Sequence, residues 1–518
     1  PTLLADMTVE STKIIMKSNK DKISEIKLKT KKCLDDRKGV NAIIDILCYS
    51  QEDDASVAIV AVRALQQIFA RLLSVGEMVI DTMPDKEEDL TKEEKVSVWL
   101  REQYKTACDA LVEKLDNTDA KLQEASLVAL LKFVEQEGQR PLDKPAAGQP
   151  SFPYTLLQSV VEKLLSKTDN MEALILRLSE VTEHDDVRFF LMKAIKQELG
   201  KTPTKDRNEV FLSNVLCALE NLEFPESDGS EPLTKFLAVS DDSVSQPKLS
   251  SLAEQKKSFT GCWMEFLRSE LTSGLYRRVL TKLDEKVVPF LSSPLVLADF
   301  LTQSYDVGGA ISLLALNGIF ILIHRYNLDY PDFYKKFYTL FEPQIFQAKY
   351  KARFFHLANL FLSSTHLPSY LVASFVKRIS RLALSAPPAG ARLCIIFVYN
   401  LLVRHPSCAV LAHHPDYTCN TDPFLMEEQD PAKTKAMDSS LWEIKTLQSH
   451  FTPEVAQEAM KINHPITQEQ VLADFLEVST EQMMEHAMKK KPTQEVAVNH
   501  EKPKGLFDKN IQRFFTLV

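Results

Sequence analysis

The chain has 518 residues, more than one hydrophobic core ordinarily serves, so two or more domains or an extended solenoid are expected. Apolar residues make up 45% and charged residues 26%, which excludes a disordered chain, and the formal charge of −9 excludes a uniformly basic nucleic-acid binder. Only 13 glycines occur, leaving few positive-φ turns or phosphate-cradling loops and favouring long helices with short connections.

From the start, Lys13, Lys17 and Lys20 lack the apolar core and small-residue cleavage site of a secretory signal, and none is expected. Residues 1–222 carry helical periodicity and read as an N-terminal repeat-like region. Asp54-Ala-Ser-Val57 leads into Val60, Ala64-Leu65 and Ile68-Phe69. Asp119-Ala-Lys-Leu122 echoes it 65 residues later, leading into Ala125, Ala129-Leu130 and Phe133-Val134. Small and large residues on adjacent stripes suit stacked helix pairs of the HEAT or armadillo kind. The spacing exceeds the usual repeat of about 40–47 residues, so an insertion or chance is required.

Residues 138–153 are a connection bearing proline and glycine. Residues 223–258, serine-rich and acidic, mark the expected linker between two halves. A C-terminal helical domain then covers 259–486, interrupted by an acidic loop at 415–438. A lysine-containing tail, 487–518, ends in the apolar stretch Ile511 to Val518, a docking segment or a piece of local packing. Helix starts are expected at the capping boxes Thr91–Glu94, Ser251–Glu254, Thr467–Gln470 and Ser479–Gln482, and at Pro331, Pro368 and Pro453 as first helical residues. The fold expected throughout is all-α, a HEAT/armadillo-like solenoid in two parts.

Residues 307–323 form an uncharged run close to the length that spans a bilayer, and 354–362 and 393–403 are shorter apolar runs. Ser312, Asn317, two glycines and the abrupt end at His324-Arg325 favour buried core helices. The alternative is an integral protein of the nuclear envelope with spans near 307–323 and 393–403.

The sharpest local signal is electrostatic. No Asp or Glu occurs from Pro343 to Pro415, while Lys349, Lys351, Arg353, Lys377, Arg378, Arg381, Arg392 and Arg404 do. Residues 416–486 invert this, with 14 acidic residues against four lysines. On 370–384, Leu371, Val372, Phe375, Val376, Ile379 and Leu382 share one helical stripe, and Lys377, Arg378 and Arg381 fall opposite it. Either this is a face neutralised by solvent or by the acidic stretch that follows, or it docks RNA phosphate or a partner's carboxylates. The candidate surface comprises Lys349, Lys351, Arg353, Lys377, Arg378, Arg381 and Arg404. No base-stacking aromatics are interleaved in a known RNA-binding pattern.

No GxxxxGK[ST], GxGxxG, GxSxG, HExxH or CxxC motif occurs, so nucleotide, dinucleotide and common hydrolase chemistries have no seat, and no catalytic residue is assigned. The eight cysteines, Cys33, Cys48, Cys108, Cys217, Cys262, Cys394, Cys408 and Cys419, show no paired spacing and read as reduced thiols. His405, Cys408, His413, His414 and Cys419 are zinc-type side chains, but their spacing matches no familiar finger and His405-Pro406 reads as a helix end. No metal or other cofactor is expected. Glu427, Glu428 and Asp430 read as solvated loop carboxylates, and Trp99, Trp263 and Trp442 as core residues.

Several ordered stretches resemble a known family: Gly308 to Gly318, Tyr330 to Lys335, Lys349 to His356, Phe361 to Pro368, Lys377-Arg378 with Arg381 to Leu384, Ala386 to Pro388, Tyr399 to Leu402 with Arg404 to Pro406, and Ser440 to Glu443. They are similar to the CCAAT-binding-factor-type domain of nucleolar ribosome-assembly factors, and within it to the nucleolar complex protein four homologues of animals. The resemblance covers roughly residues 300–460. It implies a helical-repeat fold, a nuclear and nucleolar location, and non-enzymatic scaffold work in the small-subunit processome. It also implies partnership with a nucleolar protein fourteen-like protein through the C-terminal half, contact with other processome proteins, and proximity to precursor rRNA. No small-molecule substrate is implied.

Overall fold

A computed structural model describes residues 18–35, 39–79, 92–143, 151–222, 224–225, 233–239, 249–413, 421–465 and 467–489. Among the described residues the regular structure is helical throughout, with no strand. The chain divides into two compact units, Pro1–Tyr330 and Pro331–Val518.

The first unit opens with α1 (Asn19–Asp35), α2 (Ala42–Ser50), α3 (Ala55–Val75), α4 (Lys92–Glu113), α5 (Ala120–Gln139), α6 (Tyr154–Leu164) and α7 (Glu172–Ser179). It continues with α8 (Asp185–Lys201), α9 (Glu209–Glu220), α10 (Leu252–Leu267), α11 (Ser273–Lys282), α12 (Ala298–Tyr305) and α13 (Gly309–Tyr326). Helices α3 and α5 start identically. Asp54 and Asp119 are extended, and each carboxylate accepts two backbone N–H groups of the first turn, from Ser56 and Val57 or from Lys121 and Leu122. The two helices pack side by side. Tyr104 of α4 sits 5.5 Å from Phe69 and 5.4 Å from Phe133, ring centre to ring centre. The sequence echo thus marks two equivalent helices separated by a third, the 22-residue α4, which accounts for the wide spacing.

Residues 223–258 do not separate the halves; the division falls at 330/331. The Asp186 carboxylate, buried at the start of α8, accepts the backbone N–H groups of Leu237, Ala238 and Val239. Asp185 accepts from Lys235 N–H and donates its own N–H to the Lys235 carbonyl. Within this expected linker, residues 233–239 are held by carboxylate–amide bonds, which leave no pattern in the side chains to read.

The apolar run at 307–323 lies on α13, where Leu313, Leu314, Leu316, Ile319 and Leu322 are buried. A side chain on Gly318 would meet Leu301 of α12 at 2.8 Å, so the glycine permits a close helix crossing. Among the described residues two helices, Ala55–Val75 and Gly309–Tyr326, are long and apolar enough to cross a membrane, and 56% of the most apolar 18-residue stretch of each is buried within the protein.

The second unit contains α14 (Phe333–Thr339), α15 (Lys351–Phe361), α16 (Ser369–Ser385), α17 (Pro388–Arg404), α18 (Trp442–Leu447), α19 (Pro453–Met460), α20 (Ala473–Leu476) and α21 (Thr480–Lys489). Its core is an aromatic cluster. Phe337 lies 5.1–5.3 Å from Phe341, Phe361 and Phe375, and Phe354 packs on Phe341 at 4.9 Å. That cluster anchors α16, which pairs with α17, and the runs at 354–362 and 393–403 are buried parts of α15 and α17.

Helix starts follow the sequence at Ser251, Ser479 and Pro453. Pro368 stands one residue before α16, and Pro331 two before α14. Thr467–Gln470 starts no helix: Gln470 instead exchanges hydrogen bonds with the Asn400 side chain. Thr91 and the tail from 490 lie outside the described residues.

Candidate functional site

Helix α16 shows why the basic residues are where they are. The expected stripe, Leu371, Val372, Phe375, Val376, Ile379 and Leu382, is buried against the aromatic core and α17. The opposite face carries Lys377 and Arg381 as expected, but solvent does not cover it. Residues 421–443 do.

Lys377 is 0% exposed. Its Nζ lies 2.6 Å from Glu443 Oε1 and 3.2 Å from Asp422 Oδ2, and donates to the Ser440 carbonyl at 2.8 Å. Arg381 contacts the same two carboxylates at 2.7 Å and stacks over the Trp442 ring. Trp442 is not a core residue: it is partly exposed and donates its indole N–H to Asp422. Burial pushes the Asp422 carboxyl up, but hydrogen bonds from Ser439, Trp442 and the Phe424 amide, with the Lys377 charge, hold it well below the ordinary range. Burial pushes the Glu443 carboxyl up against the pull of Lys377 and Arg381, and its Oε2 is buried without a hydrogen bond.

The other cations are engaged as well. Arg378 donates to the Phe341 and Met426 carbonyls at 2.9 and 3.1 Å and lies over the Tyr338 ring. Arg392 pairs with Glu454 and Glu458, and Arg404 with Glu469, whose carboxyl it holds below the ordinary value. Lys377, Arg378, Arg381 and Arg404 therefore do not form an outward basic face. The acidic stretch after them folds back: its carboxylates neutralise Lys377, Arg381 and Arg404, and its Met426 carbonyl accepts from Arg378, as the sign change at residue 416 could have signalled. Sequence reasoning missed Asp422, Glu443 and Trp442 as the centre of this arrangement. A lone buried Lys–Glu pair would be a weak source of stability, but a four-charge cluster sharing carboxylates fixes one geometry for α16 and for the segment over it.

Lys349, Lys351 and Arg353 remain. Lys349 and Arg353 are exposed, and Lys351 is half-buried at the first turn of α15. None pairs with a carboxylate among the described residues, and burial pushes the Lys351 ammonium down. Positive charge is thus left over only at this corner of the original window.

His405 and Cys408 are buried and point to different uses. Burial pushes the imidazole of His405 down, against a hydrogen bond to the Leu362 backbone, and Cys408 Sγ donates to the Ser369 carbonyl at 3.6 Å. His413 is exposed, and His414 and Cys419 lie outside the described residues. Among the described residues no group of three or more His, Cys, Asp or Glu could hold a metal ion.

Two family models match this chain. One, nucleolar complex protein 4-like TPR repeats, covers residues 16–205, and the other, the CBF/Mak21 family, covers 312–459. The chain is 42% identical over 477 residues to a nucleolar complex protein 4 homolog of Danio rerio, covering 90% of each chain. It is 41% identical over 483 residues to homolog A of Xenopus laevis, covering 91% of each. With the Homo sapiens homolog it is 39% identical over 480 residues, 91% of this chain and 92% of that one. The chain belongs to the nucleolar complex protein 4 family. That membership carries a nucleolar location and a role in ribosome biogenesis. The helices from α1 to α8 lie inside the match to the repeat model, and the charge-clustered α16 lies inside the second.

Proposed function

We propose that this chain is a non-enzymatic scaffold of the small-subunit processome, acting in precursor rRNA processing as the partner of a nucleolar protein fourteen-like protein. Similarity to the family over nine tenths of the chain carries the reading. The second unit supports it physically. Its charges are tied internally into one rigid helical module, which suits a docking platform better than a site that must move. Lys349, Lys351 and Arg353 are the part of the sequence-derived surface left without a carboxylate partner among the described residues, with Lys349 and Arg353 exposed, and the partner docks there. Changing Lys377 or Arg381 would test folding rather than docking.

The test is Lys349→Glu, Lys351→Glu and Arg353→Glu combined in the full chain and expressed in cells. Co-purification with the partner falls at least tenfold and unprocessed small-subunit precursor rRNA accumulates. Normal co-purification together with normal rRNA maturation would refute the proposal.

A further inference from the structure

The outer face of α1 carries a feature that the scaffold reading does not use. Helix α1 is sorted by side. Ile26, Thr30 and Cys33 are buried against the rest of the unit. The lysines nearest that side are paired: Lys22 with Glu52 at 2.8 Å, and Lys29 with Glu25 at 2.7 Å and Asp45 at 2.8 Å. Asn19 adds a bond to Asp54, the cap of α3. Four other lysines, Lys20, Lys27, Lys31 and Lys32, are exposed, and none meets a carboxylate within ion-pair distance among the described residues.

At 100° per residue, Lys20, Lys27 and Lys31 fall within about 40° of one another, about 110° around the helix from the buried stripe. They form a line about 16 Å long, and Lys32 lies about 120° further round the helix. The exposed carboxylates of α1, Asp21 and Asp35, stand near its two ends rather than along the line. A chain with net charge −9 thus presents a cationic ridge on one helix.

We infer that this ridge binds RNA through the phosphate backbone, without reading sequence. Lysines are flexible point charges suited to phosphate oxygens, and α1 holds no aromatic residue on which a base could stack. An anionic membrane is the poorer match. Interfacial helices sink a broad apolar face into lipid, whereas the apolar side of α1 is consumed within the unit and only Leu28 is exposed near the ridge. The choice of RNA over an acidic protein rests on the ribosome-assembly role; the ridge itself does not.

The experiment uses the full chain and two probes of arbitrary sequence, a 20-base-pair RNA duplex and a single-stranded RNA, read by fluorescence anisotropy between 50 and 300 mM salt. Three phosphate contacts give a log–log salt slope of about −2 to −3. Lys20→Gln, Lys27→Gln and Lys31→Gln together remove about two units of that slope and weaken binding at 50 mM salt at least tenfold. The same three positions changed to Arg keep both. Because these lysines are exposed, the variants fold, as circular dichroism checks. Partner co-purification stays normal in the Gln variant, so failure here and failure of the scaffold reading are separable. An unchanged slope in the Gln variant would overturn the inference. So would binding to phosphatidylserine vesicles in preference to RNA, or a strong dependence on RNA sequence.

Discussion

Replacing Lys377 with Met removes an ammonium that is fully enclosed and strands the carboxylates gathered around it. Glu443 is 0% exposed and keeps only Arg381, and Asp422 keeps Arg381, Ser439 and Trp442. Breaking a buried pair by deleting one partner typically costs about 3–5 kcal/mol. Arg381 remains as a counter-charge, so the expected cost of Lys377→Met is near the low end, about 3 kcal/mol. The apolar pair Lys377→Met with Glu443→Leu leaves Arg381 and Asp422 bonded to each other and no enclosed charge alone. It is expected to cost at least 1 kcal/mol less than the sum of the single changes. Urea titration read by hydrogen exchange on peptides spanning 369–385 measures both quantities for this unit alone. A cost under about 1 kcal/mol for Lys377→Met, or strict additivity in the double variant, would refute the claim that the cluster is a mutually dependent unit.

Other outcomes follow from local geometry. Asp54→Ala and Asp119→Ala each remove a helix cap and should cost about 0.5–2 kcal/mol, seen as a lower unfolding midpoint of the first unit. Gly138→Ala places a methyl where the Ala238 Cβ lies 2.4 Å away and its backbone oxygen 2.8 Å away, so residues 233–239 must shift. The expected loss is about 1–3 kcal/mol, with faster proteolysis in that segment. Burial holds the folded His405 imidazole below its ordinary value, so its contribution is full above about pH 6.5 and is lost as pH falls through the folded value. Unfolding midpoints at pH 7.5 and 5.5 should differ more in the wild type than in His405→Asn.

The sequence made the helices legible because their signals are local. Asp54 and Asp119 announce their caps within three residues, and the α16 stripe follows from spacing alone. What covers a helix face is not local. Lys377 and Arg381 lie on the side of α16 that the wheel assigns them, yet that side meets residues 421–443 instead of water. The same limit hid the stitching of 233–239 onto Asp185 and Asp186, since backbone amides leave no pattern in side chains. Within the window Pro343–Pro415, the eight cations looked alike in sequence. Only distances separate the five engaged ones from Lys349, Lys351 and Arg353.

The Lys377 cluster also constrains the order of events on the translating ribosome. Asp422 follows Lys377 by 45 residues, and Glu443 by 66. When α16 leaves the exit tunnel, its apolar side can already meet the phenylalanines made before it, but its ammonium has no anion to enclose it. The second unit therefore reaches its native packing only after Glu443 has emerged, and a nascent chain halted short of that point is left with an α16 that is open along one whole side.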